Sequence, residues 1–379
     1  MRCLFMLAVL ATHVTTHYTD AFAYKTRAHD LLLASHMMLH FSRMGFMFIT
    51  GLVMFLVYYK KPKIKLWPFW KKHFKVIGIP YIFWMGFFLF ITMQLATKPF
   101  AWDAWFIGWI KGMWHASHFY LYYLYVTMQF YLVFPIMVWI YKKSKGHYNW
   151  VIAISAIVQF LFLIYAKYIY PTLDHSNWPY YFTHYGNDIF TYQFYFMLGG
   201  YVWLNYDQIK PWIKKHNIWI YSVAILLALG TWGLYLFNKK ALSFDRHLAT
   251  LVHQPYLMFY GVAAIFAVMA IGIKYAEVRT KPHWQWFSKL VGITSTLSFG
   301  IYLTQTAPIM VLERTLDKLA IKLPSVGFLL MVPVGLLFVL IFSWLISYFC
   351  YKVPPLGALV GKSNSKKLKN LFKKKKTTE

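Results

Sequence analysis

The sequence predicts an all-α polytopic membrane protein, a bundle of about ten transmembrane helices with both termini in the cytoplasm. Three observations predict it. Of 379 residues, 59% are hydrophobic and only 13% are charged, whereas a soluble domain carries about 25% charged residues. Apolar runs near the length that crosses a roughly 30 Å hydrocarbon core recur along almost the whole chain. The gaps between them are alternately rich and poor in Lys and Arg, the asymmetry that orients helical membrane proteins.

Taken in order, the expected spans are 3–19, 36–59, 76–95, 118–141, 150–169, 189–206, 218–237, 256–273, 295–312 and 325–350. An even number puts both ends of the chain on one side. With the N-terminus inside, 27 Lys and Arg fall on cytoplasmic segments and 10 outside, and Arg43 and Lys167 lie within spans. Asp20, Asp30, Asp103, Asp174, Asp188, Asp245, Glu313 and Asp317 fall outside, in agreement, although acids weigh little in this rule. Residues 1–350 form one transmembrane domain, and residues 351–379 form a polybasic cytoplasmic tail expected to lie along an anionic inner leaflet. The first span begins at Arg2 and is followed by no small-residue cleavage site, so it reads as a retained helix and not as a signal peptide.

Composition also removes several classes of function. Cys3 and Cys350 lie in or beside apolar segments, which leaves neither a disulfide framework nor a CxxC metal site. The net charge of +28 sits in short blocks beside apolar segments, as signals for topology and anionic lipid do, so nucleic acid is not an expected partner.

Polar residues inside the spans carry the chemistry. Arg2 and His13 are eleven residues apart, about three helical turns, so they share a face roughly 16 Å apart along the axis. His17 continues that face one turn further. The next segment places His36, His40 and Arg43 on one face. Ionisable groups at such depth are costly and mark functional sites, although a histidine hydrogen-bonded inside the bundle or a snorkelling Arg43 would also satisfy the pattern. The pairs His13–His17 and His36–His40 have metal-ligand spacing, but no HExxH glutamate or cysteine accompanies them, and no metal is expected. Trp102–His118, with Trp114 and His118, and the group Trp178, Tyr180, Tyr181 and His184 read either as an interfacial aromatic belt or as a carbohydrate platform.

The spacing of Arg, ten residues and His in RCLFMLAVLATH (2–13) resembles the signature of the acyltransferase-3 family, integral membrane enzymes that acylate extracytoplasmic glycans and lipids. Further segments resemble that family in order: His40-Phe41-Ser42-Arg43 leading into FMFITG, KKHFKVIGIPYIFW, FYLYYLYVTMQFYLVFP (119–135), FYFMLGGYVW (194–203) and LSFGIYLTQT (297–306). The resemblance is greatest to stand-alone members linked to surface polysaccharide, such as the one that modifies poly-N-acetylglucosamine intercellular adhesin. One departure stands out: where the family often has a histidine after IYL, this chain has Thr304-Gln305, and Gln305 can only hydrogen-bond.

The resemblance implies a pore-like cavity through which an acyl group from cytoplasmic acyl-coenzyme A, acetyl or succinyl, reaches an outward-facing hydroxyl. No permanently bound cofactor is implied. His13, Arg2 and Arg43 become the candidate catalytic residues, with His13 as base or acyl carrier and the two arginines on donor phosphates or the thioester carbonyl. Lys72 and Lys75, in the basic stretch with Lys71 and His73, are candidate donor contacts and equally topology signals. His17, His40, Trp114, His118 and Gln305 are candidate acceptor contacts. The expected setting is a bacterial plasma membrane, with the lipid bilayer, acyl-coenzyme A and a cell-surface glycan as partners and a polysaccharide synthase complex left open. The rival reading is an exporter of the glycan that performs no acyl transfer and needs no base at His13.

Overall fold

The structure, a computed structural model, describes residues 1–22, 26–96, 99–116 and 118–362. The lysine-rich part of the expected tail, 363–379, lies outside the described residues. The chain is a helical bundle with no strand among the described residues.

The first helices are α1 (Arg2–Ala21), α2 (Arg27–Leu39), α3 (Phe41–Tyr58), α4 (Leu66–Gln94), α5 (Trp102–His115), α6 (Tyr122–Lys143) and α7 (Tyr148–Ile164). There follow α8 (Tyr180–Thr183), α9 (Gln193–Leu204), α10 (Tyr206–Lys215), α11 (Asn217–Leu236), α12 (Arg246–Ala249) and α13 (Pro255–Val278). The chain ends in α14 (Gln285–Thr304), α15 (Thr306–Lys322), α16 (Ser325–Leu330), α17 (Val332–Lys352) and a 3-10 turn at Leu356–Val360.

Among the described residues, seven helical stretches are long and apolar enough to cross a membrane: Arg27–Tyr58, Leu66–Gln94, Tyr122–Lys143, Tyr148–Thr172, Asn217–Ala241, Pro255–Val278 and Ser325–Lys352. The other three expected spans fall on α1, α9 and the pair α14–α15. Of these, α1 carries polar residues, α9 is short, and α14–α15 is interrupted at Gln305. A helix surrounded by protein need not be apolar all round, because its neighbours satisfy its polar groups. On α1, Thr12, Thr15 and Thr16 donate to backbone carbonyls one turn back at 2.8, 2.7 and 2.9 Å, which removes the cost of burying hydroxyls. Helix α9 has twelve residues, eight of them buried.

Two helix junctions set up the interior. Between α2 and α3 the His40 N–H donates to the Met37 carbonyl at 3.4 Å, and the Arg43 N–H donates to the His40 carbonyl at 3.2 Å. These tight i→i−3 bonds break one long helix beside its polar residues. Between α14 and α15, Pro308 has no N–H for the Thr304 carbonyl, and the helix is interrupted at Gln305.

Helix α3 is held against α9 by glycine. A Cβ on Gly51 would come within 2.1 Å of the Phe196 carbonyl oxygen, and one on Gly199 within 2.2 Å of the Phe48 carbonyl oxygen. Small residues let two membrane helices approach backbone to backbone, where close packing does the work that the hydrophobic effect does in water. Charged contacts gather at the two ends of the bundle. Away from Arg2, Lys239 pairs with Asp30 at 2.8 Å and Arg246 with Asp20 at 3.1 Å; toward Arg2, Lys214 pairs with Glu277 and Lys142 donates to the Lys61 carbonyl.

Candidate active site

An interior cavity of about 290 Å³ runs between α1, α3, α4, α6 and α14. Its lining includes Arg2, His13 and Arg43 together, with Ser42, Tyr122, Tyr123, Tyr302, His73 and Lys362. The eleven-residue spacing on α1 therefore does what helical geometry demands: Arg2 lies at one end of the cavity and His13 three turns deeper. Among the described residues no Asp or Glu lines it. At this size it stands at the lower edge of the roughly 300–1,000 Å³ of small-molecule sites, enough for an extended arm.

His13 is buried, and its Nδ1 has no hydrogen-bond partner among the described residues. Its ring packs on Tyr120, with centroids 3.8 Å apart. The Tyr120 hydroxyl shares a 2.7 Å hydrogen bond with His17 Nε2, and His17 Nδ1 faces the Glu313 carboxylate at 3.7 Å. Glu313 is more than half exposed. The series Glu313, His17, Tyr120 and His13 thus leads from the end of the bundle opposite Arg2 to the buried imidazole. Tyr120 is held with a left-handed backbone, φ 61°, and its carbonyl accepts a hydrogen bond from the Tyr302 hydroxyl.

Arg43 sits deep in the bundle, and its partial exposure is to the cavity. Its guanidinium lies 5.3 Å from the centre of the Tyr122 ring and engages the Tyr192 side chain. Nε has no partner among the described residues. A guanidinium so placed keeps donors free for an oxygen-rich ligand.

On the far side of Arg43 lies a group of histidines. His36 Nδ1 shares a 2.7 Å hydrogen bond with the Thr15 hydroxyl, and the His36 and His40 rings meet edge to face at 4.6 Å. His40 is buried, with Nδ1 unpartnered among the described residues. His253, from the connection before α13, is buried against Tyr185 and Tyr192 and lies within electrostatic reach of Arg43 and His40. No group of three or more His, Cys, Asp or Glu among the described residues is arranged to hold a metal ion.

The other residues singled out in the sequence lie elsewhere. Lys72 and Lys75 are exposed and do not line the cavity, whereas their neighbour His73 does, fixed by a 2.8 Å hydrogen bond between Nε2 and the Tyr58 hydroxyl. Helical geometry explains it, since only one residue in that stretch faces inward. Trp114 is 77% exposed and His118 is exposed; neither lines the cavity. Gln305 is fully buried at the α14–α15 junction, with both amide atoms unpartnered among the described residues. Tyr180 is sandwiched between His115 at 3.9 Å and His184 at 3.8 Å, so both faces of its ring are already covered.

Several contributors escape sequence reasoning. Tyr120, Tyr122 and Tyr302 belong to the aromatic motifs near 119–135 and 297–306, but nothing in tyrosine-rich helices says which hydroxyls point inward. His253 and Lys362 lie in no motif.

The fold is that of a membrane-embedded helical bundle in which Arg2, His13 and Arg43 share one cavity. The family model describing an acyltransferase domain, that of the acyltransferase-3 family, matches residues 1–348, and the chain belongs to that family. It is a membrane acyltransferase. No curated protein and no solved structure matches the chain.

Proposed function

We propose that the protein moves an acyl group, acetyl or succinyl, from cytoplasmic acyl-coenzyme A to a hydroxyl of an extracytoplasmic polysaccharide at a bacterial plasma membrane. The observation that carries this reading is the cavity, which joins the cationic end at Arg2 to His13 and Arg43 deep in the bundle. The excess of Lys and Arg on segments sharing the side of Arg2 supports a cytoplasmic donor entrance. The motifs shared with stand-alone, polysaccharide-linked members support the class of acceptor, and a polysaccharide synthase complex is the natural partner.

In the reaction, the acceptor hydroxyl oxygen attacks the thioester carbonyl carbon, so that a C–O bond forms and the C–S bond breaks. His13 takes the hydroxyl proton and returns it to the departing sulfur, a role for an imidazole typically worth about 100- to 10,000-fold. Arg43 stabilises the oxyanion of the tetrahedral intermediate. Transfer through an acyl-imidazole on His13 would use the same groups in two steps. His17 and Tyr120 hold the His13 ring, and the exposed Glu313 opens this series toward the acceptor side.

The test uses membranes holding the protein, radiolabelled acetyl- or succinyl-coenzyme A and surface glycan. Base-labile label on the glycan is expected with wild type and absent with His13→Gln. No label with either donor, combined with glycan export that fails only when the whole protein is removed, would return the reading to an exporter.

A further inference from the structure

The chain does not leave the bundle at the end of its last span. After α17 it turns at Val353 and folds back, with the 3-10 turn Leu356–Val360 packed against α4, α14 and α17. Trp84 Nε1 of α4 donates to the Leu359 carbonyl at 2.8 Å. Val360 is buried against Gly300, and Gly361 takes a left-handed conformation, φ 67°, that an L side chain rarely adopts. The Lys362 N–H then donates to the Gly357 carbonyl at 2.8 Å. These contacts deliver Gly361 and Lys362 to the cavity wall at the end where Arg2 and His73 lie. The family match stops at residue 348, so this wall lies beyond the shared domain.

We propose that this strap completes the donor site, and that Lys362, with Arg2 and His73 beside it, binds the phosphates of the coenzyme A thioester. The inference rests on the acyl-coenzyme A reading given above. The nucleotide stays at the entrance, and the arm extends the roughly 16 Å from Arg2 to His13. The entrance carries positive charge, and among the described residues no acid in the lining neutralises it. Burial, and then the charge of Arg2, push the Lys362 ammonium below its ordinary range, an unfavourable arrangement that an anionic ligand relieves.

Binding of acetyl-coenzyme A and of acetyl-pantetheine, which lacks the phosphates, is measured on the purified full-length protein by calorimetry, with unliganded thermal melting as the folding control. Wild type is expected to bind acetyl-coenzyme A more tightly than acetyl-pantetheine. Lys362→Gln should weaken acetyl-coenzyme A roughly tenfold, the scale of one lost charged hydrogen bond, and leave acetyl-pantetheine unchanged; Lys362→Arg should restore most of the loss. Equal binding of acetyl-coenzyme A by wild type and Lys362→Gln overturns the inference while leaving the donor reading intact. Absence of binding of both acetyl- and succinyl-coenzyme A by wild type overturns the donor reading, and the inference with it.

Discussion

At the scale of single residues, the role proposed for His13 requires that its ring be held still. Tyr120 does this by packing on the ring and by bonding His17. Tyr120→Phe keeps the packing and removes the hydroxyl, so acyl transfer should fall about tenfold in kcat with little change in KM for the donor. An equal loss in KM would make Tyr120 a binding residue. A second prediction concerns Asp188, whose carboxylate accepts a 3.0 Å hydrogen bond from the Thr191 N–H in the connection before α9. Burial outweighs the hydrogen bonds and pushes this carboxyl up to about 6. The folded state then binds more protons than the unfolded state between about pH 4 and 6, so stability should decline as pH rises through that window. Asp188→Asn keeps the acceptor and removes the charge. It should melt higher than wild type at pH 7.5, by on the order of 2 kcal/mol in stability, and lose the slope between pH 4 and 6.

At the scale of elements, α3, which carries Arg43, packs backbone to backbone against α9. Gly199→Ala would drive a Cβ into the Phe48 backbone, which cannot move aside as a side chain could, so about 1–3 kcal/mol of stability should be lost together with activity. Gly78→Ala on α4, with open space around it, should be neutral or slightly stabilising in a melt of the same preparation. The sequence shows Gly51 and the Gly199-Gly200 pair but not that they meet, because contact between distant helices leaves no local periodic signal. The face on α1 was legible for the opposite reason: eleven residues on one helix fix an angle whatever surrounds it, whereas His36, His40 and Arg43 are divided by the α2–α3 junction and only Arg43 lines the cavity. Lys72 and Lys75 show where that reasoning stops. A basic stretch at a membrane boundary looks alike whether it orients the chain or binds a ligand, and only packing shows that His73 turns inward. Three expected spans fall on helices that are not long and apolar enough to cross a membrane by themselves: α1 carries polar residues, α9 has only twelve residues, and α14 is divided from α15 at Gln305.

At the scale of the whole molecule, the donor reading depends on which way the bundle faces. The cavity entrance lies with Arg2 and Lys362, and the ion pairs Lys239–Asp30 and Arg246–Asp20 mark the other end. The distribution of 27 against 10 basic residues supports a cytoplasmic Arg2, the side from which the proposed acyl-coenzyme A donor would be drawn. Lys65 and Lys240 are both exposed on the surface at opposite ends, so a single cysteine at either position reports orientation in a chain whose Cys3 and Cys350 have been replaced. On intact cells a membrane-impermeant maleimide should label Lys240→Cys and spare Lys65→Cys until the membrane is opened. The reverse pattern would turn the Arg2 entrance outward and put cytoplasmic thioesters beyond its reach. It would also turn Glu313 inward, so that the series ending at His13 could no longer face an extracytoplasmic glycan; one labelling result therefore bears on donor and acceptor together, because both are set by the same helix α1.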